Sequence, residues 1–329
     1  MTLARKSKPL NYNATVPAAE PPRLMLVLPP ACAGQRLDQA LAGLLPQFSR
    51  SRLAQWIRDR RVELDGHPVL PKARVWGGEH VMVHPVPDPA ATAAAPEAIA
   101  LDVVYEDAVV LVIAKPAGLV VHPGRGNWSG TLLNALLAHA PQLTSMPRAG
   151  IVHRLDKETS GLLVVAKTLE AQTSLVRQLQ ARTVRREYLT VVHGRVTRDG
   201  KVEAPIGRHP VQRTRMAVAA RGRPSTTHYE VLQHFTQATL LRCRLETGRT
   251  HQIRVHMQSL GHPLVGDPVY GKKRTSDAVL AAFARQALHA ERLEFEHPGN
   301  HETVAWQVPP PADMRALIAA LQAQTGTPA

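Results

Sequence analysis

The chain has 329 residues, with 40 Lys and Arg against 26 Asp and Glu and a formal net charge of +14. A hydrophobic fraction of 44% excludes wholesale disorder, the longest apolar runs fall well short of the ~18 residues a membrane span needs, and two cysteines, Cys32 and Cys243, make neither a disulfide framework nor a metal pair. A pI of about 10.4 predicts a polyanionic partner, nucleic acid being the common one, and the absence of a leader-like opening segment predicts a cytoplasmic protein.

Residues 1–22 are polar and proline-bearing, without a sustained period, and are expected to form a mobile tail. Arg23 to Leu28 reads as a strand. Leu37, Ala40, Leu41 and Leu44 then fall at helical spacing until Pro46. Ser49 or Ser51 can cap a second helix that buries Leu53, Trp56 and Ile57 and carries Arg50, Arg52, Arg58, Arg60 and Arg61 around its other positions. Short strands at Val62–Leu64 and Val81–Val83, with turns at Asp65-Gly66 and Gly77-Gly78, complete a small α/β unit over residues 23–84.

Residues 85–100 are rich in proline and alanine and nearly free of charge, a linker composition. A larger domain is expected over 101–325. Tyr105 to Asp107 separates two β-rich runs, Leu101–Val104 and Val109–Ala114. Helices are expected at Thr131–His139, Glu170–Arg182, Thr250–Leu260 and Ala312–Gln324. Strands are expected at Val184–His193, Thr226–Gln233, Thr239–Glu246, near Leu293–Glu296 and at Thr303–Val308. Many strands with few interleaved helices predict an α+β fold with a mixed, mainly antiparallel sheet rather than a doubly wound parallel one.

Several motifs can be set aside. Gly124, Gly126 and Gly130 are not at dinucleotide-fingerprint spacing, and no acidic residue ends a second strand where a ribose contact requires one, so no dinucleotide is expected. His251 and His256 are five apart, off the i,i+4 face of a zinc helix, and no metal is expected. The sequons at Asn13 and Asn127 carry no meaning in a cytoplasmic chain.

The informative stretch is Gly150 to Lys167 (GIVHRLDKETSGLLVVAK), a polar loop that puts Asp156 beside cations and hydroxyls before an apolar strand. An isolated Asp in such a loop is ordinarily a turn or capping residue. The whole string, however, resembles the central motif of the RluA-type pseudouridine synthases, which use its aspartate to isomerise uridine within RNA. Arg185–Leu189 (RREYL) looks like the family's tyrosine-bearing strand. Glu246–His256 (ETGRTHQIRVH), continued by Gly261–Asp267 (GHPLVGD), looks like its arginine motif. Residues 34–84 are similar to the S4-type RNA-binding domain fused to many members, and the likeness extends from about residue 20 to about residue 320.

The resemblance implies that Asp156 is the catalytic carboxylate and Arg254 its partner. Tyr188 would stack on the target base and assist removal of the C5 proton. Isomerisation moves no electrons, so no cofactor is expected. The strings at Arg208–Pro210, Arg213–Val218 and Gln286–Ala290 point to members acting on 23S rRNA, and imply uridines of the helix 69 stem-loop, in free rRNA or a large-subunit assembly intermediate. The arginines at 50, 52, 58, 60 and 61, with Arg208, Arg213 and Arg215, are expected to meet RNA phosphates. Arg154 is expected to fill the space left by an extruded base. Thr159, Ser160 and His153 are read as structural, and His251 is open to either role. A monomer is expected. The rival readings are an RNA-binding assembly factor without catalysis and a glycosylase that releases free base.

Overall fold

The computed structural model describes residues 23–86, 94–124, 126–271 and 275–326, so the expected tail and the middle of the expected linker lie outside the described residues. The described residues fall into two compact units, divided between residues 86 and 94.

In the first unit, β1 (Leu24–Val27), α1 (Leu37–Leu44), α2 (Arg50–Arg58), β2 (Val62–Leu64), β3 (His67–Pro68) and β4 (His80–Val83) follow in order. The strands pair antiparallel in the order β1-β4-β2-β3. Ser49, not Ser51, caps α2 by accepting the Arg52 amide at 3.3 Å. The apolar stripes of the helices, Leu37 and Leu41 with Leu53, Trp56 and Ile57, close on Val62, Val75 and Val83. Asp65 and Gly66 both take positive φ, 49° and 77°, as the tight hairpin from β2 to β3 requires.

The second unit contains β5 (Val103–Glu106), β6 (Val110–Lys115), α3 (Leu132–His139), β7 (Ser160–Ala166), α4 (Leu169–Ala181), β8 (Arg185–His193) and β9 (Gly200–Glu203). The hairpin β10 (Ile206–Arg208) and β11 (Met216–Val218) comes next, then β12 (Thr226–His234), β13 (Ala238–Leu245) and α5 (Gln252–Ser259). The short α6 (Ala278–Ala282), β14 (Leu288–Glu296), β15 (Thr303–Gln307) and α7 (Ala312–Gly326) end it. One sheet runs β5-β6-β7-β14-β8-β13-β12-β9, with β15 added along the far half of β14. Among the described residues only β7 and β14 pair parallel, so the sheet is mixed and mainly antiparallel.

Alternation along β8 divides its side chains between two cores. Tyr188 and Val192 join α3, α4 and α5, whereas Leu189 and Val191 join α6 and α7 on the other face. Across four neighbouring strands, Gly161, Ala290, Tyr188 and Cys243 fall in one register row. The row thereby sets Tyr188 between the start of β7 and the last residues of β13.

β3, β9, β10, β11 and α6 are not among the elements expected from the sequence, and three further places differ from that reading. β5 continues through Tyr105 and Glu106, and the turn moves to Asp107, whose carboxylate accepts the amides of Val109 and Val110 at 2.7 Å. β14 starts at Leu288, five residues before the expected strand, because buried polar residues such as His289 and Glu291 interrupt its apolar pattern. Both ends of the expected linker are tied down: Val86 packs on the first unit, and Asn134 donates to Ala95 at 2.7 Å while Glu97 accepts from Gly130 at 3.0 Å in the second.

Gly161 sits where β14 closes on β7. Its φ is +108°, and a Cβ there would lie 2.2 Å from the Ala290 carbonyl oxygen. Gly161→Ala is expected to cost more than about 3 kcal/mol, lowering Tm by roughly 6–12 °C. A thermal melt within about 2 °C of wild type would show that the strand crossing yields easily.

Candidate active site

Asp156 lies in the loop that enters β7, and four consecutive residues after it are each held by a different side chain. Lys115, fully buried, donates to Pro116, Leu119 and the Lys157 carbonyl at 2.7, 2.9 and 3.0 Å. Burial pushes its amine down to about 7. Arg285 donates to the Glu158 carbonyl at 3.0 Å, and Gln286 to the Thr159 hydroxyl at 3.3 Å. His289 contacts the Val308 carbonyl through Nε2 at 3.1 Å and the Ser160 hydroxyl through Nδ1 at 3.0 Å. A carbonyl only accepts, so Nε2 carries the proton and Nδ1 accepts from Ser160. Burial, which lowers the His289 pKa, favours this neutral form. Thr159 and Ser160 thus serve loop geometry, as read from the sequence.

The carboxylate this loop presents is half-enclosed. Asp156 Oδ2 accepts from Arg254 Nη1 at 3.0 Å. The remaining edge of the Arg254 guanidinium grips Asp267 through Nε at 2.7 Å and Nη2 at 2.9 Å. The exposures of these side chains fall in order, 17% for Asp156, 5% for Arg254 and 0% for Asp267. Asp267 also accepts the amides of Val269 and Tyr270. Burial alone would raise its pKa, but the Arg254 fork and those amides outweigh burial and hold the carboxyl below its usual range. Burial likewise opposes the Arg254 charge, and the two carboxylates more than restore it.

His251, whose φ of 59° is left-handed, precedes α5 and points Nε2 at Asp156 Oδ1 from 3.8 Å, beyond hydrogen-bond length. Its Nδ1 meets the Tyr270 hydroxyl at 2.8 Å, and that oxygen accepts the Met216 amide. The Arg254 guanidinium lies over the Tyr270 ring, 5.0 Å from its centroid. Tyr188 is buried, and burial raises its phenol pKa, so the hydroxyl keeps its proton at neutral pH. Burial and the Arg186 charge push His153 down to about 3, and its Nε2 accepts the Val164 amide at 3.2 Å, a structural role.

Asp156, Tyr188, His251 and Arg254 line one cleft of about 800 Å³. Arg148, Arg154, Arg182, Arg186 and Arg249 also line it, against two acids, Asp156 and Glu246. The structure therefore brings together all three residues expected to be catalytic, with Arg154 exposed beside them.

The arginines expected to meet RNA divide into two groups. Arg50 pairs with buried Asp38 at 3.2 Å, and Arg52 lies over Trp56 at 5.0 Å and donates to the Val86 carbonyl at 2.8 Å. Arg215 donates to Gln212 and Val269 and lies over the Tyr270 ring. These three have internal roles. Arg58, Arg60, Arg61, Arg208 and Arg213 are exposed. His256 is buried between the Thr227 hydroxyl and the Ala204 carbonyl, and among the described residues no cluster of three His, Cys, Asp or Glu is placed to hold a metal.

A unit of this topology, with a buried arginine bonded to Asp156 in a basic cleft, is matched by a class of RNA-modifying enzyme. The RNA pseudouridylate synthase family model matches residues 109–259, and the S4 domain model matches residues 35–81. The chain belongs to the RNA pseudouridylate synthases and carries an S4 RNA-binding domain. It is 58% identical to ribosomal large subunit pseudouridine synthase D of Nitrosomonas europaea, covering 90% of this chain and 87% of that one. It is 54% identical to the protein of that name in Neisseria meningitidis serogroup B, covering 92% and 83%. Against the Escherichia coli K12 protein the identity is 52%, covering 88% and 91%. The solved structure of human RNA pseudouridylate synthase domain containing 1 aligns with a TM-score of 0.54 at 28% identity, over 70% of this chain and 97% of that one.

Sequence reasoning did not assign Asp267, Tyr270, Lys115 or Arg285 to the site. Asp267 closes a string already quoted for the family motif. The others act through contacts between residues far apart in the chain.

Replacing Asp267 by Asn leaves the Arg254 charge without its buried partner, at an expected cost of about 3–5 kcal/mol. Because the folded-state pKa of Asp267 is depressed, its contribution is complete above the usual carboxylate value of about 4 and fades as pH falls through the folded value. The Tm gap between wild type and Asp267→Asn should accordingly be widest near neutrality and narrow in acid. A gap independent of pH would contradict the assignment of the charge to this pair.

Proposed function

We propose that this RNA pseudouridine synthase isomerises uridine in the 23S rRNA of the large ribosomal subunit, at the helix 69 stem-loop, with Asp156 acting at the sugar. The observation that carries the reading is the Asp156–Arg254 contact at 3.0 Å in a cleft shared with Tyr188. The choice of RNA is supported by the relatives, whose names specify the large ribosomal subunit. We further infer that it acts as a monomer, in the cytoplasm, on rRNA or an assembling subunit; among the described residues no helix is long and apolar enough to cross a membrane.

The reaction breaks N1–C1′, turns the uracil and joins C5 to C1′. C5 gives up a proton and N1 gains one, so the atoms balance without an oxidant or reductant. The sugar carbon lies inside a stacked loop, so the nucleotide is first extruded, at a cost of roughly a few kcal/mol. Arg154, exposed on the cleft rim, takes the vacated place by stacking and phosphate contact.

Asp156 works ionised, as nucleophile or base at the sugar. Arg254 holds one of its oxygens, and the other faces the cleft. Asp267 fixes the guanidinium from behind, so a single orientation of the carboxylate meets each substrate. Tyr188 stacks against the uracil, and its protonated phenol suits that role better than proton abstraction. The exposed arginines, Arg58, Arg60, Arg61, Arg208 and Arg213, supply phosphate contacts that position the RNA without reading its sequence.

The test uses 23S rRNA transcript tritiated at uridine C5, with no added cofactor. Wild type is expected to release tritium from it and from the isolated helix 69 stem-loop, and not from small-subunit rRNA. Asp156→Asn should reduce release roughly a thousandfold or more with RNA binding intact. Release from Asp156→Asn within tenfold of wild type would remove Asp156 from the chemistry, and free uracil in place of tritium would make the enzyme a glycosylase.

A further inference from the structure

Arg186 is the second buried arginine of the cleft, beside Arg254. Their surroundings differ sharply. Arg254 is bonded to two carboxylates. Arg186 Nε is buried without a hydrogen-bond partner among the described residues. The two acids that line the cleft are both engaged elsewhere: Asp156 with Arg254, and Glu246 with His228 at 2.6 Å and Arg182 at 3.4 Å.

The surrounding chain is built to keep this guanidinium in place. Arg186 and Tyr188 are two apart on β8, on one face of the strand and about 7 Å apart along it. Opposite, the loop after β13 passes so close that a Cβ on Gly248 would lie 2.7 Å from Arg186 Nη1. Glycine at 248 leaves the volume that the guanidinium fills.

Burying an uncompensated charge is costly, and a neutral partner satisfies an N–H without offsetting the charge. The anions an RNA substrate brings are its phosphodiesters. A guanidinium donates two parallel hydrogen bonds to such a group. Tyr188 and Arg186 are separated by a distance on the scale of one nucleotide. We infer that Arg186 is the phosphate subsite of the cleft, binding one of the two phosphodiesters that flank the extruded uridine. The inference rests on the proposed reading that this nucleotide enters the cleft with its base on Tyr188. The subsite couples extrusion to capture: the nucleotide's own backbone charge offsets a desolvation that the folded protein already carries.

The experiment combines Arg186→Gln with a stem-loop in which the phosphodiester 5′ or 3′ of the modified uridine is a neutral methylphosphonate. Tritium release at limiting RNA reports kcat/KM. Either change alone, at the correct linkage, should lower it by roughly 30-fold, the scale of one charge-assisted hydrogen bond. Together they should cost no more than about threefold beyond either alone. Arg186→Lys, which keeps the charge but loses the fork, should recover part of the rate and remain sensitive to the methylphosphonate. The free Arg186→Gln protein should melt no lower than wild type, because it loses an unpaired buried charge.

Losses that multiply at both linkages would overturn the inference. So would a wild type indifferent to both methylphosphonates, which would hand Arg186 to the base instead. An Arg186→Gln protein that melts well below wild type or fails to fold would make the guanidinium a structural tie. If wild type releases no tritium from any unmodified RNA, the proposed function fails. If it does and the two losses multiply, only the phosphate subsite falls.

Discussion

The Arg254 guanidinium, held between Asp267 and Asp156, is the contact on which the rest of the site depends. A buried cation is tolerated when its hydrogen-bond donors are met by acceptors of opposite charge. Here the fully enclosed Asp267 takes two of those donors and the half-enclosed Asp156 takes a third. One cation between two carboxylates leaves a net negative charge at the cleft end of the trio. That arrangement aims the Asp156 carboxylate into a cleft that further arginines line.

The trio depends on three parts of the chain that only the sheet brings together. Asp156 precedes β7, Arg254 follows β13 within α5, and Asp267 lies beyond that helix. The register row from Gly161 through Ala290 and Tyr188 to Cys243 aligns the strands that carry them. The clamps on the Asp156 loop then set its height above the sheet. Lys115, Arg285, Gln286 and His289 each take one polar group of consecutive residues 157 to 160, so the loop has few ways to shift. Precision of this kind comes from many ordinary hydrogen bonds.

The positive charge of the molecule serves several ends. Some arginines are structural, as with Arg50 on Asp38 and Arg215 over Tyr270. Others, such as Arg58 and Arg213, are exposed, where they act at long range and fall off with salt. Arg186 belongs to neither group, being buried with its Nε unpartnered among the described residues. A composition count cannot separate these cases, because each depends on what lies opposite the guanidinium.

By itself, the sequence determined the family and the α+β class, since long strings in fixed order leave few alternatives, and it named three residues, Asp156, Tyr188 and Arg254, that the fold gathers in one cleft. It also placed most helices and strands, because apolar periodicity and caps such as Ser49 act within a few residues of each other. It missed the first half of β14, where His289 and Glu291 are buried only because partners on other strands satisfy them. Nor could it assign the Arg254 fork to Asp267, place Lys115 under the Asp156 loop, or tell a paired arginine from an unpaired one. Those outcomes were decided by tertiary structure. The energy of a buried charge is set by neighbours distant in the chain, and local sequence carries no record of them.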